Sequence, residues 1–195
     1  MADGNNFKNN CHLQLTSRPF GRQHLRMTEA QFLSSCPVEI LLNCRDAVQR
    51  GFSDYAARYS HVADIHDNRT VASIIHCHIV EAAKSIACGP DLVFRYLAQR
   101  NLFILKNSVI IVFKKLDENL RSQNYPTRSA TNFNAQEELE GIPANLPRIE
   151  VGYVPDSVGA SIAGIYVVCR QGNQIDWSID LHDDIEPRQR DLKIA

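Results

Sequence analysis

The chain has 195 residues, of which 44% are hydrophobic and 22% are charged, and its formal net charge is -1. This composition is typical of a globular protein with a real core and excludes a disordered chain. The near-neutral charge gives no overall case for nucleic acid or an acidic membrane as partner. No run approaches the roughly eighteen apolar residues that a membrane helix needs.

The first 26 residues are Asn-rich and mildly basic and lack the apolar core of a signal peptide. We interpret them as a flexible leader, and Met27 is then a candidate natural start. A basic arm that binds nucleic acid is the alternative, but the composition favours a flexible extension. None of the six cysteines forms a C-x-x-C pair, so we expect reduced thiols and a cytoplasmic protein rather than a disulfide framework.

Residues 36–88 predict two helices that pair as an antiparallel hairpin. The apolar stripe of the first helix steps by three and four residues from Leu41 to Tyr59, and Gly51 weakens it without breaking the pattern. The second helix is expected to start at Asp67 or Asn68, since either is a good cap. Residues 91–99 fit a short helix or an edge strand equally well.

After Arg100 the apolar pattern changes from helical to alternating, which predicts strands. Helices first and strands later predict an α+β fold, in which the N-terminal helical hairpin packs on a C-terminal antiparallel sheet of about five strands. The strands are expected at about 102–106, 109–114, 148–154, 162–169 and 174–181, with a short helical piece at 132–140. The single domain would span 27–182, with a helical part at 36–99, a sheet part at 100–182 and a charged tail at 183–195.

The four histidines between positions 61 and 78 suggest a metal site by number but not by spacing. His76 and His78 are two residues apart on a predicted helix, so they point in different directions. No zinc-finger or H-E-x-x-H spacing is present. We therefore predict no metal and no cofactor, and we treat these residues as solvated loop histidines and one packed helix histidine. His78 could also pair with Glu81.

The end of the second predicted strand carries Lys114, Lys115, Asp117 and Glu118. On a strand, Lys115 shares a face with the apolar residue Phe113 while Lys114 takes the other face. A lysine suits a phosphate or a carboxylate, and Asp117 could orient it or bind a metal. Local positive charge also allows a surface for a nucleic-acid backbone. On residues alone, a charged strand end without a function is the favoured interpretation.

These patterns give two sets of candidate site residues. No nucleophile elbow, P-loop or dinucleotide fingerprint occurs in the chain. The order of acid and lysine also does not fit a nuclease of the Pro-Asp…acid-x-Lys type. The catalytic candidates are Lys115, Asp117 and His76, and the binding candidates are Lys114, Arg121, Thr127, Gln136 and Tyr153.

The string FKKLDENLRSQNYPT (113–127), together with Phe133, Gln136, residues 139–143 and Val151-Gly152-Tyr153, resembles a family of small, poorly characterised bacterial proteins. Asn68-Arg69-Thr70 and Ile75-His76 fit the same pattern. The resemblance covers about 60–181 and implies a genetic setting rather than an activity. Such proteins are encoded beside helix-turn-helix regulators, some with a metallopeptidase-like domain, in pairs that look like toxin–antitoxin or phage-defence modules.

Three functions follow as expectations. The first is a protein component of a bacterial two-gene toxin–antitoxin or defence module, which binds a DNA-binding regulator and is toxic when free. The second is a nuclease or nucleotide-acting enzyme that uses Lys115 and Asp117 with His76 nearby. The third is simple nucleic-acid binding through the basic end of the sheet. The first is favoured because the family resemblance implies it, because no catalytic motif is present and because the net charge is near zero.

Overall fold

Helices precede a six-stranded sheet in the computed structural model, which describes residues 26–62, 64–97, 99–122, 131–133 and 146–181. This order confirms the predicted α+β class. The helices are α1 (Glu29–Ser35), α2 (Val38–Tyr59) and α3 (Asn68–Ile86), with a 3₁₀ turn at Ser60–Val62. The strands are β1 (Leu92–Leu97), β2 (Arg100–Leu105), β3 (Val109–Lys115), β4 (Arg148–Pro155), β5 (Ile162–Gln171) and β6 (Gln174–Asp180).

Helix α1 was not predicted, because the expected helical part began only at residue 36. Thr28 and Gln31 form a capping box, in which each side chain accepts a hydrogen bond from the other residue's backbone N–H. The helix is fixed to the last strand by Trp177, whose indole N–H donates to the Met27 carbonyl at 2.7 Å. The rings of Phe32 and Trp177 lie 5.3 Å apart.

Helices α2 and α3 form the predicted hairpin and cross very closely. A Cβ at Gly51 would lie 2.5 Å from the backbone nitrogen of Ile79 and 2.6 Å from its Cα. Gly51 was predicted only to weaken α2, but it is also the residue that lets the two helix backbones approach. Asp67 caps α3 by accepting a hydrogen bond from the Thr70 N–H at 2.6 Å.

The sheet runs β1-β2-β3-β4-β5-β6, and the prediction of a purely antiparallel sheet of about five strands needs correction. Strand β3 pairs with β4 in parallel, from Ile110 opposite Arg148 to Lys115 opposite Tyr153. The physical reason is the long connection 116–147, which returns the chain to the starting end of the sheet before β4 begins. The extra strand is β1, which decides the ambiguity at 91–99 in favour of an edge strand.

The two faces of the sheet are covered differently. One face packs on all three helices and forms the main core. The other face holds an ion pair in which Arg170 Nε lies 2.6 Å from Glu150 Oε2, and both side chains are buried. Arg148 on the same face donates to the Phe133 carbonyl at 2.7 Å, and its guanidinium lies 4.7 Å from the centre of the Phe133 ring. The 131–133 piece of the long connection is therefore fixed to this face.

Several predictions lie outside the described residues. These are the leader up to residue 25, the binding candidates Thr127 and Gln136, most of the helical piece 132–140, and the charged tail 183–195. Of the predicted leader, Arg26 is described, and its guanidinium lies 3.6 Å from Asp176 and donates to Gln171 at 3.2 Å.

Replacing Gly51 by Ala tests the close helix crossing. Alanine favours a helix over glycine by about 1 kcal/mol, but its Cβ here would overlap the α3 backbone. Such overpacking costs about 1–3 kcal/mol, so we expect Gly51→Ala to lower the free energy of unfolding in urea titrations. Gly89→Ala is the matched control, because a Cβ at Gly89 meets nothing within 4 Å. A Gly51→Ala protein as stable as the wild type would contradict the described crossing.

Candidate functional site

A cleft of about 220 Å³ lies at the edge of the sheet where the parallel strands β3 and β4 end. In sheets with parallel strands, ligands bind outside the carboxyl ends of those strands. The opposite wall comes from the second half of α2, the α2–α3 connection and the start of α3. The β4–β5 turn closes one side. The lining residues are Phe52, Tyr55, His66, Asn68, Val71, Ile75, Lys115, Tyr153, Pro155, Val158 and Gly159.

Two predicted site residues, Lys115 and Tyr153, lie side by side in this cleft. They are register partners at the ends of β3 and β4, and adjacent strands are about 4.8 Å apart. The pleat places Lys115 on the face of Phe113, as the alternation predicted. No described residue forms an ion pair with Lys115. The ammonium group therefore reaches the cleft without an acidic partner from the described part of the chain.

The hydroxyl of Tyr153 is the most unusual polar group in the cleft. The side chain is only 2% exposed, and its hydroxyl has no hydrogen-bond partner among the described residues. Phe52 packs edge-on against the ring at 6.0 Å, which fixes its orientation. Burial raises the pKa of Tyr153, so the group stays a protonated donor at neutral pH. A buried donor without an acceptor is a feature that calls for a ligand atom.

The opposite wall carries a paired tyrosine and histidine. The Tyr55 hydroxyl lies 3.2 Å from His66 Nδ1, and the Tyr55 ring stacks on Tyr59 at 5.6 Å between centroids. The start of α3 offers little to a ligand, because the Asp67 carboxylate already accepts from the Thr70 N–H. That capping hydrogen bond also lowers the pKa of Asp67. The polar groups left for a ligand are therefore side chains, above all those of Lys115 and Tyr153.

Asp117, Arg121 and Lys114 lie elsewhere. The Asp117 carboxylate accepts from the backbone N–H of Asn119 at 2.9 Å and of Arg121 at 2.8 Å, so it stabilises the turn that follows β3. Arg121 is exposed in the same turn. Lys114 lies on the face opposite the helices, where burial lowers its pKa and the nearby Glu150 partly offsets that effect. None of these three side chains lines the cleft.

His76 lies on α3 and is largely buried, which lowers its pKa to about 4. Lys114 contributes a smaller lowering of the same pKa through charge repulsion. The ring is therefore neutral at physiological pH, and it does not line the cleft. Of the three catalytic candidates, the structure thus places Lys115 in the cleft, Asp117 in a turn and His76 within the helical layer.

The sequence analysis missed two residues of the site, His66 and Tyr55. Tyr55 had been read only as part of an apolar helix stripe, and His66 as a solvated loop histidine. Their signal was a tyrosine at the end of a helix and a histidine just before the next helix cap, which is too common to predict a site. The suggested pair of His78 with Glu81 does not form, since Glu81 binds Lys84 at 2.6 Å and His78 packs on the ring of Tyr59.

Within the described ranges, no three His, Cys, Asp or Glu side chains are grouped so that they could hold a metal ion. The five described cysteines form no disulfide with one another. No described helix has the length and apolar character to cross a membrane. Comparison with family models, curated proteins and solved structures found no match to this chain. The resemblance to a bacterial family therefore stays a prediction.

Replacing Tyr153 by Phe tests whether its hydroxyl lacks a partner. A buried, unpaired polar group costs about 1–3 kcal/mol, so we expect Tyr153→Phe to leave the free energy of unfolding unchanged or to raise it. Tyr55→Phe is the control, because it removes the hydroxyl that bonds to His66, and it should cost about 1 kcal/mol. If Tyr153→Phe lowers the free energy of unfolding by more than Tyr55→Phe does, the Tyr153 hydroxyl has a partner within the protein.

His76 gives an acid-dependent loss of stability. Its pKa is about 4 when folded and near 6.5 when unfolded, so between these values the unfolded state binds more protons. The contribution of neutral His76 to the free energy of unfolding is complete above about pH 6.5. It falls by up to about 3 kcal/mol as the pH drops to 4. Urea titrations give the free energy of unfolding at pH 7 and at pH 4.5. The difference between these two values should be smaller for His76→Gln than for the wild type. Equal differences would show that His76 titrates normally.

Proposed function

We propose that this protein is a binding component whose cleft at the ends of β3 and β4 holds an anionic group of its ligand. The observation that carries the proposal is the pair formed by Lys115 and Tyr153. Lys115, which forms no ion pair with a described residue, is the register partner of Tyr153, whose buried hydroxyl has no acceptor among the residues described. Both groups donate hydrogen bonds, and a carboxylate or phosphate oxygen accepts from both.

The charge of the cleft supports the same choice of ligand. Among the described residues, the lining contains Lys115 and His66 but no aspartate or glutamate. A cation ligand would meet repulsion at Lys115, and a neutral apolar ligand would leave the Tyr153 hydroxyl unpaired. Leaving a buried polar group unsatisfied costs about 1–3 kcal/mol. An anion removes that cost on binding and gains a charge-assisted hydrogen bond at the same time.

The arrangement supports binding rather than the nuclease alternative. A nuclease built on Lys115 needs a second reactive group at the same centre, and neither Asp117 nor His76 lines the cleft. A surface for nucleic acid needs several phosphate contacts, whereas this cleft has a single lysine. The binding interpretation uses the groups that are present.

The biological setting that we propose comes from the family resemblance. In that setting the protein belongs to a cytoplasmic two-gene toxin–antitoxin or defence module of a bacterium, and it binds the DNA-binding regulator encoded beside it. The near-neutral charge fits a protein partner better than a nucleic acid. Co-expression with the neighbouring regulator tests this part, and a regulator that never co-purifies with the protein would contradict it.

Thermal unfolding in acetate or phosphate tests the cleft. We expect either anion to raise the melting temperature above that in chloride at equal ionic strength, because it binds only the folded state. The gain is about 1.4 kcal/mol at a ligand concentration ten times the Kd. Lys115→Met should abolish the gain, and Tyr153→Phe should reduce it.

The matched control for this experiment is Lys106→Met, because Lys106 is exposed and pairs with Asp91 at 3.3 Å. This variant should keep the full gain in melting temperature. If Lys106→Met and Lys115→Met lose the gain equally, the effect is a general response to salt and the cleft is not an anion site. The same conclusion follows if the wild type shows no gain in either anion.

A further inference from the structure

Two of the large apolar side chains most exposed to solvent lie at this cleft. Val158 lines it and is 81% exposed, and Ile65, which is 76% exposed, directly precedes the lining residue His66. They belong to the β4–β5 turn and the α2–α3 connection, which bound the cleft on different sides. Lys115 and Tyr153 also line the cleft, and Tyr153 is almost fully buried.

The size of the cleft limits what it can enclose. Its volume of about 220 Å³ is below the range of about 300–1,000 Å³ that encloses a drug-sized ligand. It suits one terminal group of a longer molecule. The remainder of that molecule would then lie outside the cleft, where the exposed side chains of Ile65 and Val158 offer apolar rather than charged contacts.

From this arrangement we infer that the cleft captures the C-terminal carboxylate and the last apolar side chain of a partner polypeptide. This inference rests on the proposed anion-binding function of the same cleft. The carboxylate accepts hydrogen bonds from Lys115 Nζ and the Tyr153 hydroxyl. The apolar side chain packs on Phe52, Val71 and Ile75, and the preceding residues of the peptide cross Val158 and Ile65. Capture of a terminal carboxylate is a known mode of peptide recognition.

The charge pattern favours a peptide over a nucleic acid that ends in a phosphate. A strand of nucleic acid brings further phosphates to the rim, and those would need further cations there. Val158, which lines the cleft, is instead an exposed aliphatic side chain, and the exposed Ile65 adjoins the lining residue His66. A peptide with neutral or apolar residues before its carboxylate matches this pattern of one half-buried cation and exposed apolar side chains at Val158 and, next to the lining, at Ile65.

Fluorescence polarisation with the full chain tests the inference. The probe is fluorescein-labelled Gly-Ser-Gly-Ser-Val-Leu with a free C-terminal carboxylate, compared with the same peptide as its C-terminal amide. We expect the acid to bind at least about tenfold more tightly, since the amide loses the charge that Lys115 requires. Lys115→Met should remove that preference.

Rim variants separate this inference from simple anion binding. Val158→Asp and Ile65→Asp should raise the Kd for the acid peptide by about fivefold or more, because each replaces an apolar contact with a charge that repels the peptide carboxylate. In the same two variants, the gain in melting temperature that acetate gives should fall much less than the affinity for the peptide. Tyr96→Asp is the control, since Tyr96 is 63% exposed on strand β1 and does not line the cleft. It should leave peptide binding unchanged.

Each other outcome has one meaning. If acetate stabilises the protein through Lys115 but the acid and amide peptides bind equally, the peptide inference is overturned and the anion site stands. If a 5′-phosphorylated hexanucleotide competes better than the acid peptide, the ligand is a nucleic acid and the inference is again overturned. If Lys115→Met changes neither the stabilisation by acetate or phosphate nor the binding of the peptide, the proposed function itself fails.

Discussion

The parallel pairing of β3 with β4 is the constraint on which the site depends. It brings the carboxyl ends of two buried strands to one edge of the sheet, so that Lys115 and Tyr153 become lateral neighbours on the same face. An antiparallel pairing would place the end of one strand beside the start of the other. The helices α2 and α3, held close by Gly51, then supply the wall that faces this edge. The cleft is therefore a consequence of topology and close helix packing together.

The chemistry of the cleft follows from what the fold buries there. The Tyr153 ring packs against Phe52, and its buried hydroxyl is a donor without an acceptor among the described residues. Lys115 adds a positive charge on the neighbouring strand, and no lining residue in the described part of the chain carries a carboxylate to neutralise it. Natural proteins tolerate such unsatisfied groups mainly where function repays their cost. We interpret the cost at Tyr153 as the stability that the protein gives up for affinity towards an anion.

Much of the fold could be predicted from the sequence, because apolar periodicity reflects burial directly. The helix hairpin, the strands after Arg100 and the sides taken by Lys114 and Lys115 all followed from it. Helix α1 was missed, although Thr28 and Gln31 carry the spacing of a capping box. The parallel pairing was missed because alternation shows which face a residue takes and not which strand lies beside it.

The site was only partly predictable for a related reason. Lys115 and Tyr153 were both candidates, but they are far apart in sequence and only the strand register brings them together. His66 and Tyr55 gave no specific signal, since a hydrogen bond between a helix and a loop depends on how α2 and α3 cross. Asp117 was predicted as a site residue because an acid next to a lysine could orient that lysine or bind a metal. Its carboxylate is used instead by the backbone of the following turn.

The most direct test of the central claim is an NMR titration of the isotopically labelled protein with acetate. Acetate is a small carboxylate that can report on the pair of donors in the cleft. The account predicts saturable shifts confined to residues around the cleft, with the Lys115 side-chain ammonium and the Tyr153 ring among the largest. Shifts of that kind that centre instead on exposed lysines such as Lys106, with Lys115 and Tyr153 unmoved, would contradict it.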